Sequence, residues 1–148
     1  MPTVTVEVDP SEDEIRSAIW VGLRAYNEQH AGAPDTRSFA VFVRDETGAA
    51  IGGLHGQLRW GWLYVDNFWL PEALRGQGLG SSLLRAAEQL ALEHACTGSN
   101  LDTFEFQALP FYERHGYTVF GVLEGYPPGY RRYFLQKSLT PADGPPVT

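Results

Sequence analysis

Apolar residues in the segment 11–30 recur at helical spacing, with Ile15, Ala18, Ile19, Gly22, Leu23 and Tyr26 on one face, the mark of an amphipathic helix. Ser11 followed three residues later by Glu14 is a capping-box pattern, in which each side chain can satisfy a free backbone N–H at the helix start. Ahead of it, residues 3–8 predict a short strand. After a polar stretch at 31–36 the pattern changes to that of strands: 39–43, 51–59 and 62–70 predict an antiparallel meander, turned at 45–48 and at Trp60-Gly61. From Gly78 the helical period returns through Leu79, Leu83, Leu84, Ala87, Leu90 and Ala91, fading near Gly98. Residues 101–106 are strand-like, 110–115 form a short helix closed by Gly116, and 117–123 and 132–136 are strands joined by a Pro-Pro-Gly loop.

Composition narrows the class. The 148 residues, 43% hydrophobic and 13% aromatic, suffice for one sizeable core. Residues 1–139 are therefore expected to form a single domain, and 140–148, rich in proline, a disordered tail. Eleven basic against 18 acidic residues give a net charge of -7, which repels nucleic acid and anionic membranes and favours cationic partners. No apolar run is long enough to cross a bilayer, and the N-terminus lacks a secretory pattern. Cys96 is the single cysteine, compatible with a reducing compartment, so a cytoplasmic location is the default. His30, His55, His94 and His115 are scattered and give no metal-ligand spacing, which points to metal-free chemistry.

The segment Arg75-Gly76-Gln77-Gly78-Leu79-Gly80-Ser81 sits at a strand-to-helix junction. There, unpaired N–H groups and the helix dipole make an anion site, and glycines allow the backbone to approach a phosphate closely. A plain glycine turn is the alternative. A nucleotide P-loop would require Gly-Lys-Ser/Thr, and no lysine is present; a dinucleotide fingerprint would require glycine where Ser81 stands.

Arg75, Gly78 and Gly80 match the arginine-x-x-glycine-x-glycine signature of the GCN5-related N-acetyltransferase (GNAT) superfamily, which holds a CoA pyrophosphate. The likeness extends to the strand Val65-Asp66-Asn67-Phe68-Trp69-Leu70 and to Ala108-Leu109-Pro110-Phe111-Tyr112-Glu113-Arg114-His115-Gly116-Tyr117. Together they cover about residues 62–120, and the first half of the chain resembles the family only in element order. The resemblance implies an α/β (α+β) fold: a mixed, mostly antiparallel central sheet of six to seven strands flanked by helices, splayed between its fourth and fifth strands. It also implies acetyl-CoA as co-substrate, with Phe68, Trp69 and Leu70 pairing the pantetheine arm and residues 75–81 (Arg75, Gly76, Gln77, Gly78, Leu79, Gly80 and Ser81) taking the phosphates.

By the same resemblance, the Leu70 N–H would stabilise the oxyanion as an amine attacks the thioester. Asp66 would serve as a water-mediated base, with Glu105 as the competing candidate, and Tyr112 as the acid that protonates the departing thiolate. Each has a bland alternative, a surface carboxylate or a core aromatic. Glu105 also departs from the family, many of whose members carry an asparagine there. Asn67, Trp60, Trp62 and Tyr64 are candidates for the acceptor site, since aromatic faces with nearby acids suit an ammonium group; the aromatics could equally fill the core. His55 and His115 have no recognisable partner in the sequence. The loop 124–130 suits an acceptor-site rim or a homodimer contact. The expected activity is N-acetyl transfer in a ternary complex to a small-molecule or peptide amine, a small cationic one favoured. The alternatives are a silent acyl-CoA-binding module and, more remotely, a dinucleotide enzyme.

Overall fold

A computed structural model describes residues 1–140, so the expected tail lies, apart from Thr140, outside the described residues. The chain divides into two compact units, Met1–Pro34 and Asp35–Thr148.

In the first unit, helix α1 (Glu12–Ile15), a π-helical turn (Arg16–Trp20) and α2 (Val21–Ala31) follow one another without a break. Ser11 is extended, and its Oγ accepts the Glu14 N–H at 3.4 Å. Glu12, Asp13 and Glu14 crowd the first turn, where the helix dipole favours negative charge. Gly32 ends the helix with φ 75°. The strand predicted at 3–8 does not form, because no ladder pairs it and Val4, Val6 and Val8 stay exposed. An extended segment becomes a strand only by sharing its backbone groups with a neighbour.

The second unit holds a six-stranded sheet of β1 (Arg37–Arg44), β2 (Ala50–Arg59), β3 (Trp62–Trp69), β4 (Gly98–Phe104), β5 (Thr118–Glu124) and β6 (Arg131–Ser138), in the spatial order β1-β2-β3-β4-β6-β5. All neighbours are antiparallel except β3 and β4. Parallel neighbours need a crossover, and α3 (Leu79–Glu93) supplies it. Trp60 and Gly61, at φ 47° and 76°, form the left-handed two-residue turn that matches strand twist. The six strands fall within the expected six to seven, the missing one being residues 3–8.

Leu83, Leu84, Ala87 and Ala91 of α3 pack on Leu54, Leu58, Leu63, Val65, Leu101 and Leu135 of the sheet. The helix stops at Glu93, short of the expected Gly98. Cys96 N–H bonds Ala91 O at 2.9 Å and Ala95 N–H bonds Leu92 O at 3.0 Å, with Ala95 at φ 60°. This is a Schellman closure with alanine in the place where glycine is usual. A polar clamp lies beside it. Tyr117, 2% exposed, donates to Glu88 Oε2 at 2.8 Å and shares a 2.8 Å bond with Ser99 Oγ, while Lys137 Nζ reaches both Glu88 oxygens at 2.9 and 3.1 Å. No helix among the described residues is long and apolar enough to cross a membrane.

One irregularity governs the middle of the sheet. His55 pairs with Asn67 and Gly56 with Val65, so Asp66 has no partner on β2. Such a bulge places one extra residue in a strand and bends it. It also reverses the alternation: Leu63 and Val65 point into the core before it, Phe68 and Leu70 after it. Opposite the bulge, a Cβ on Gly56 would lie 2.4 Å from the Tyr64 carbonyl oxygen and 3.1 Å from the Phe39 ring. Gly56→Ala is expected to destabilise the protein by about 1–3 kcal/mol, measured as a lowered urea midpoint; an unchanged midpoint would mean that β2 and β3 can move apart there freely.

Candidate active site

The β3–β4 ladder runs from Trp62↔Gly98 to Val65↔Leu101 and stops, although β3 continues to Trp69 and β4 to Phe104. The two strands part where Asp66 bulges. This is the expected splay, between the third and fourth strands of the sheet as it forms. Gln107 Oε1 takes the Phe104 N–H at 2.8 Å and the Thr103 hydroxyl at 3.2 Å, so a side chain stands in for β3 at that end of β4, while β6 goes on pairing its other edge as far as Phe104. A cavity of about 640 Å³ fills the gap, lined by Asp66, Asn67, Phe68, Trp69, Leu70, Arg75, Asp102, Phe104, Phe106 and Tyr112 among others.

A second cavity of about 350 Å³ shares Phe68, Trp69, Leu70, Arg75, Ala108 and Tyr112 with the first and adds Gly76, Gly78, Gly80, Ser81, Phe111 and Arg114. Its floor is the start of α3. Gly78 caps that helix at φ 84° and ψ 0°, a left-handed conformation that side chains resist. The Ser82 N–H is the first to be used inside the helix, bonding Gly78 O at 3.1 Å, so the preceding N–H groups, with the dipole behind them, could hold an anion. Arg75 Nε donates to Leu70 O at 2.9 Å, tying the glycine loop to the end of β3. Arg114, which sequence reading did not single out as a binding residue, adds a second guanidinium. Gln77 and Leu79 do not line either cavity; Gln77 Nε2 donates to Ala73 O at 3.0 Å.

Tyr112 projects from α4 (Leu109–Arg114) into both cavities and is 7% exposed. Phe68 and Phe111 pack edge-on against its ring, at 6.3 and 5.3 Å between centroids. Burial, followed by the negative charge of Asp102, pushes its pKa up to about 12. The phenol therefore stays protonated across the neutral range.

The acids separate. Asp66 lines the splay cavity, and its Oδ2 lies 3.8 Å from His55 Nδ1. His55 also shares a 3.2 Å bond with Ser38 Oγ, so the structure gives this histidine two neighbours that come from other strands. Asp102, on β4, is the acid that sequence reading missed. Its Oδ1 takes Arg132 at 2.7 and 2.9 Å and its Oδ2 the Tyr64 hydroxyl at 3.0 Å. Burial and this carboxylate push the Tyr64 pKa up to about 12. Glu105 lies away from the splay, in a recess with Glu124, Tyr130 and Arg131, and accepts the Arg131 N–H at 3.2 Å.

The four tryptophan and tyrosine candidates also divide. Trp69, 60% exposed, and Asn67 line the splay cavity. Tyr64 stands behind it on Asp102, Trp62 lies over Gly98 with its ring 2.7 Å from where a Cβ would be, and Trp60 occupies the β2–β3 turn beneath Arg59. None of the three fills the core. His115, its ring centroid 4.6 Å from that of Phe111 and tilted by 31°, with both ring nitrogens buried and unpartnered among the described residues, has its pKa lowered by burial and packs as a neutral ring.

The arrangement has relatives. The model of the acetyltransferase (GNAT) family matches residues 7–117. Acetyltransferase Atu2258 of Agrobacterium fabrum is 38% identical over 129 residues, covering 87% of this chain and 94% of its own length. Blasticidin-S acetyltransferase of Streptomyces morookaense is 42% identical over 102 residues, 68% of this chain and 75% of its own. The crystal structure of a candidate acetyltransferase from Agrobacterium tumefaciens superposes with a TM-score of 0.83 at 38% identity, over 93% of this chain and 99% of that one. Parted strands, a glycine loop at a helix start and this kinship lead to one conclusion: the chain belongs to the GNAT family and is an acetyltransferase.

Proposed function

We propose that the protein transfers an acetyl group from acetyl-CoA to the primary amine of a small cationic acceptor by direct attack in a ternary complex. The observation that carries this reading is the continuity of the two cavities. The loop suited to a pyrophosphate opens, through Phe68, Trp69 and Leu70, onto the gap where β3 and β4 stop pairing. An extended, amide-bearing ligand with a phosphate at one end fits that path, since it offers partners to strand groups that lack a ladder. Residues 1–139 would act together as one domain, in keeping with a family match that spans residues 7–117.

In this reading, Arg75, Arg114 and the N–H groups at the start of α3 hold the phosphates. The Leu70 N–H meets the thioester carbonyl oxygen as it gains charge. Asp66, directly or through a water, takes one proton from the acceptor ammonium; the neutral amine then attacks, the N–C bond forms, the C–S bond breaks to release the CoA thiolate, and the second proton on nitrogen leaves to solvent. Asp102 is less suited to that work because Arg132 and Tyr64 already occupy both its oxygens, and Glu105 lies in another recess. Asp66 can pass its proton on toward His55 and solvent. Tyr112 acts at the sulfur. With a pKa of about 12, its full proton transfer to a thiolate of ordinary pKa near 8.5 is uphill. Its contribution is a hydrogen bond that strengthens as the sulfur becomes anionic, the final proton coming from water.

Three outcomes are expected. Acetyl-CoA, but neither NADH nor ATP, should raise the melting temperature, since a ligand of the native state stabilises by mass action; Gly78→Val should abolish the shift. An upward shift with NADH alone would overturn the reading. Tyr112→Phe should slow turnover roughly ten- to a thousandfold with little change in CoA affinity. Because the phenol's pKa is raised, wild-type turnover should show no decline between pH 7 and 10 that disappears in the Phe variant; one that does would contradict the assignment. Asp66→Asn should lower kcat/KM at neutral pH by about a hundredfold. That deficit should shrink as pH rises toward the pKa of the acceptor amine, because the free amine no longer needs a base; a constant deficit across pH would remove Asp66 from that role.

A further inference from the structure

Beyond the splay, on the β4 side, the chain gathers aromatic rings that the core does not use. Phe104 and Phe106 stack with centroids 5.6 Å apart and planes 10° from parallel, and Tyr126 continues the stack beyond Phe104 at 5.8 Å and 22°. Tyr130 meets Phe106 edge-on at 5.0 Å. Phe106, Tyr126 and Tyr130 are 57%, 46% and 46% exposed. Half-exposed large rings in one cluster forgo hydrophobic stabilisation that burial would give, and such clusters mark places where something else binds.

The cluster is held rigid. The Arg132 guanidinium lies 5.4 Å from the Phe104 ring and 4.7 Å from Tyr126, and Asp102 pins it with bonds of 2.7 and 2.9 Å. Phe104 and Phe106 are also walls of the splay cavity, which Asp66 and Trp69 border from β3. An amine placed at Asp66 therefore has an exposed aromatic on either side flanking the remainder of its molecule, Trp69 at the end of β3 and Phe106 just beyond the end of β4.

We propose that this cluster is the subsite for the distal part of the acceptor, and that the acceptor is a primary amine bearing a planar aromatic or heteroaromatic ring. This deepens the acetyl-transfer reading above and rests on it. A flat π-system can continue the Phe104–Phe106 stack, an arrangement open to any ring because stacking needs a face and no particular hydrogen-bond pattern. An aliphatic amine of equal length obtains only nonspecific contact there.

The experiment uses the full chain with CoA bound and measures, by calorimetry and saturation-transfer NMR, the binding of 2-phenylethylamine and tryptamine against n-hexylamine. The ring-bearing amines are expected to bind about tenfold more tightly, the order of one stacking contact. The difference should vanish in Phe106→Leu, which keeps apolar bulk and removes the ring face. Equal binding of the three amines, no binding of any, or a preference that survives Phe106→Leu would each overturn the proposal. The acetyl-CoA melting shift, measured on the same samples, separates the outcomes: if it is present, the acetyl-transfer reading stands whatever the amines do, and if it is absent that reading falls as well.

Discussion

The structure depends on hydrogen bonds that two neighbouring strands do not make. Parallel strands would ordinarily pair to their ends, because each unpaired N–H and C=O in a protein interior costs free energy. Here the ladder closes at Val65↔Leu101 and the chain manages the remainder in other ways. Gln107 takes the Phe104 N–H and Arg75 takes the Leu70 carbonyl. Both devices draw on side chains that also border the gap, so the strand ends remain apart without being stranded in an apolar medium.

Charge is distributed in keeping with that gap. The molecule as a whole is acidic, at -7, yet the cavity over the glycine loop is lined by Arg75 and Arg114. Local cations of this kind can draw in an anionic ligand against an overall repulsion because the field near a helix start and two guanidiniums exceeds that of scattered surface acids within a Debye length. On the far side of the gap, Asp102 is neutralised by Arg132 and held by Tyr64. That pairing leaves Asp66 as the cavity carboxylate with unspent capacity, while burial, with a smaller push from the Asp102 charge, raises the Tyr112 pKa.

What could be read from the sequence follows from how local the determining physics is. The glycine loop at the start of α3 was legible because a backbone at φ 84° nearly demands glycine at 78, and the α3 face because its apolar period is written in neighbouring residues. The end of α3 was not, since Ala95 occupies a conformation that glycine would have announced. The bulge gave no signal either: an aspartate in a strand looks the same whether or not it has a partner. Asp102 stayed hidden because Tyr64 and Arg132 lie 38 and 30 residues away, and His55 because Ser38 is 17 residues away. Residues 3–8 illustrate the opposite error, a strand-like segment for which no neighbour supplies a ladder.

The bulge at Asp66 also works as a phase shift in the reading frame of β3. Before it, odd-numbered residues face the core; after it, even-numbered ones do. The extra residue that opens the gap is thus the same one that keeps Phe68 and Leu70 inside and Asn67 and Trp69 outside. Removing a single residue there would leave the composition of the strand almost untouched and exchange its wet and dry faces from that point on. In the descent of such a chain the length of the strand at this point is a constraint separate from the chemistry of residue 66, and a gap at this position between relatives would signal a different pocket wall.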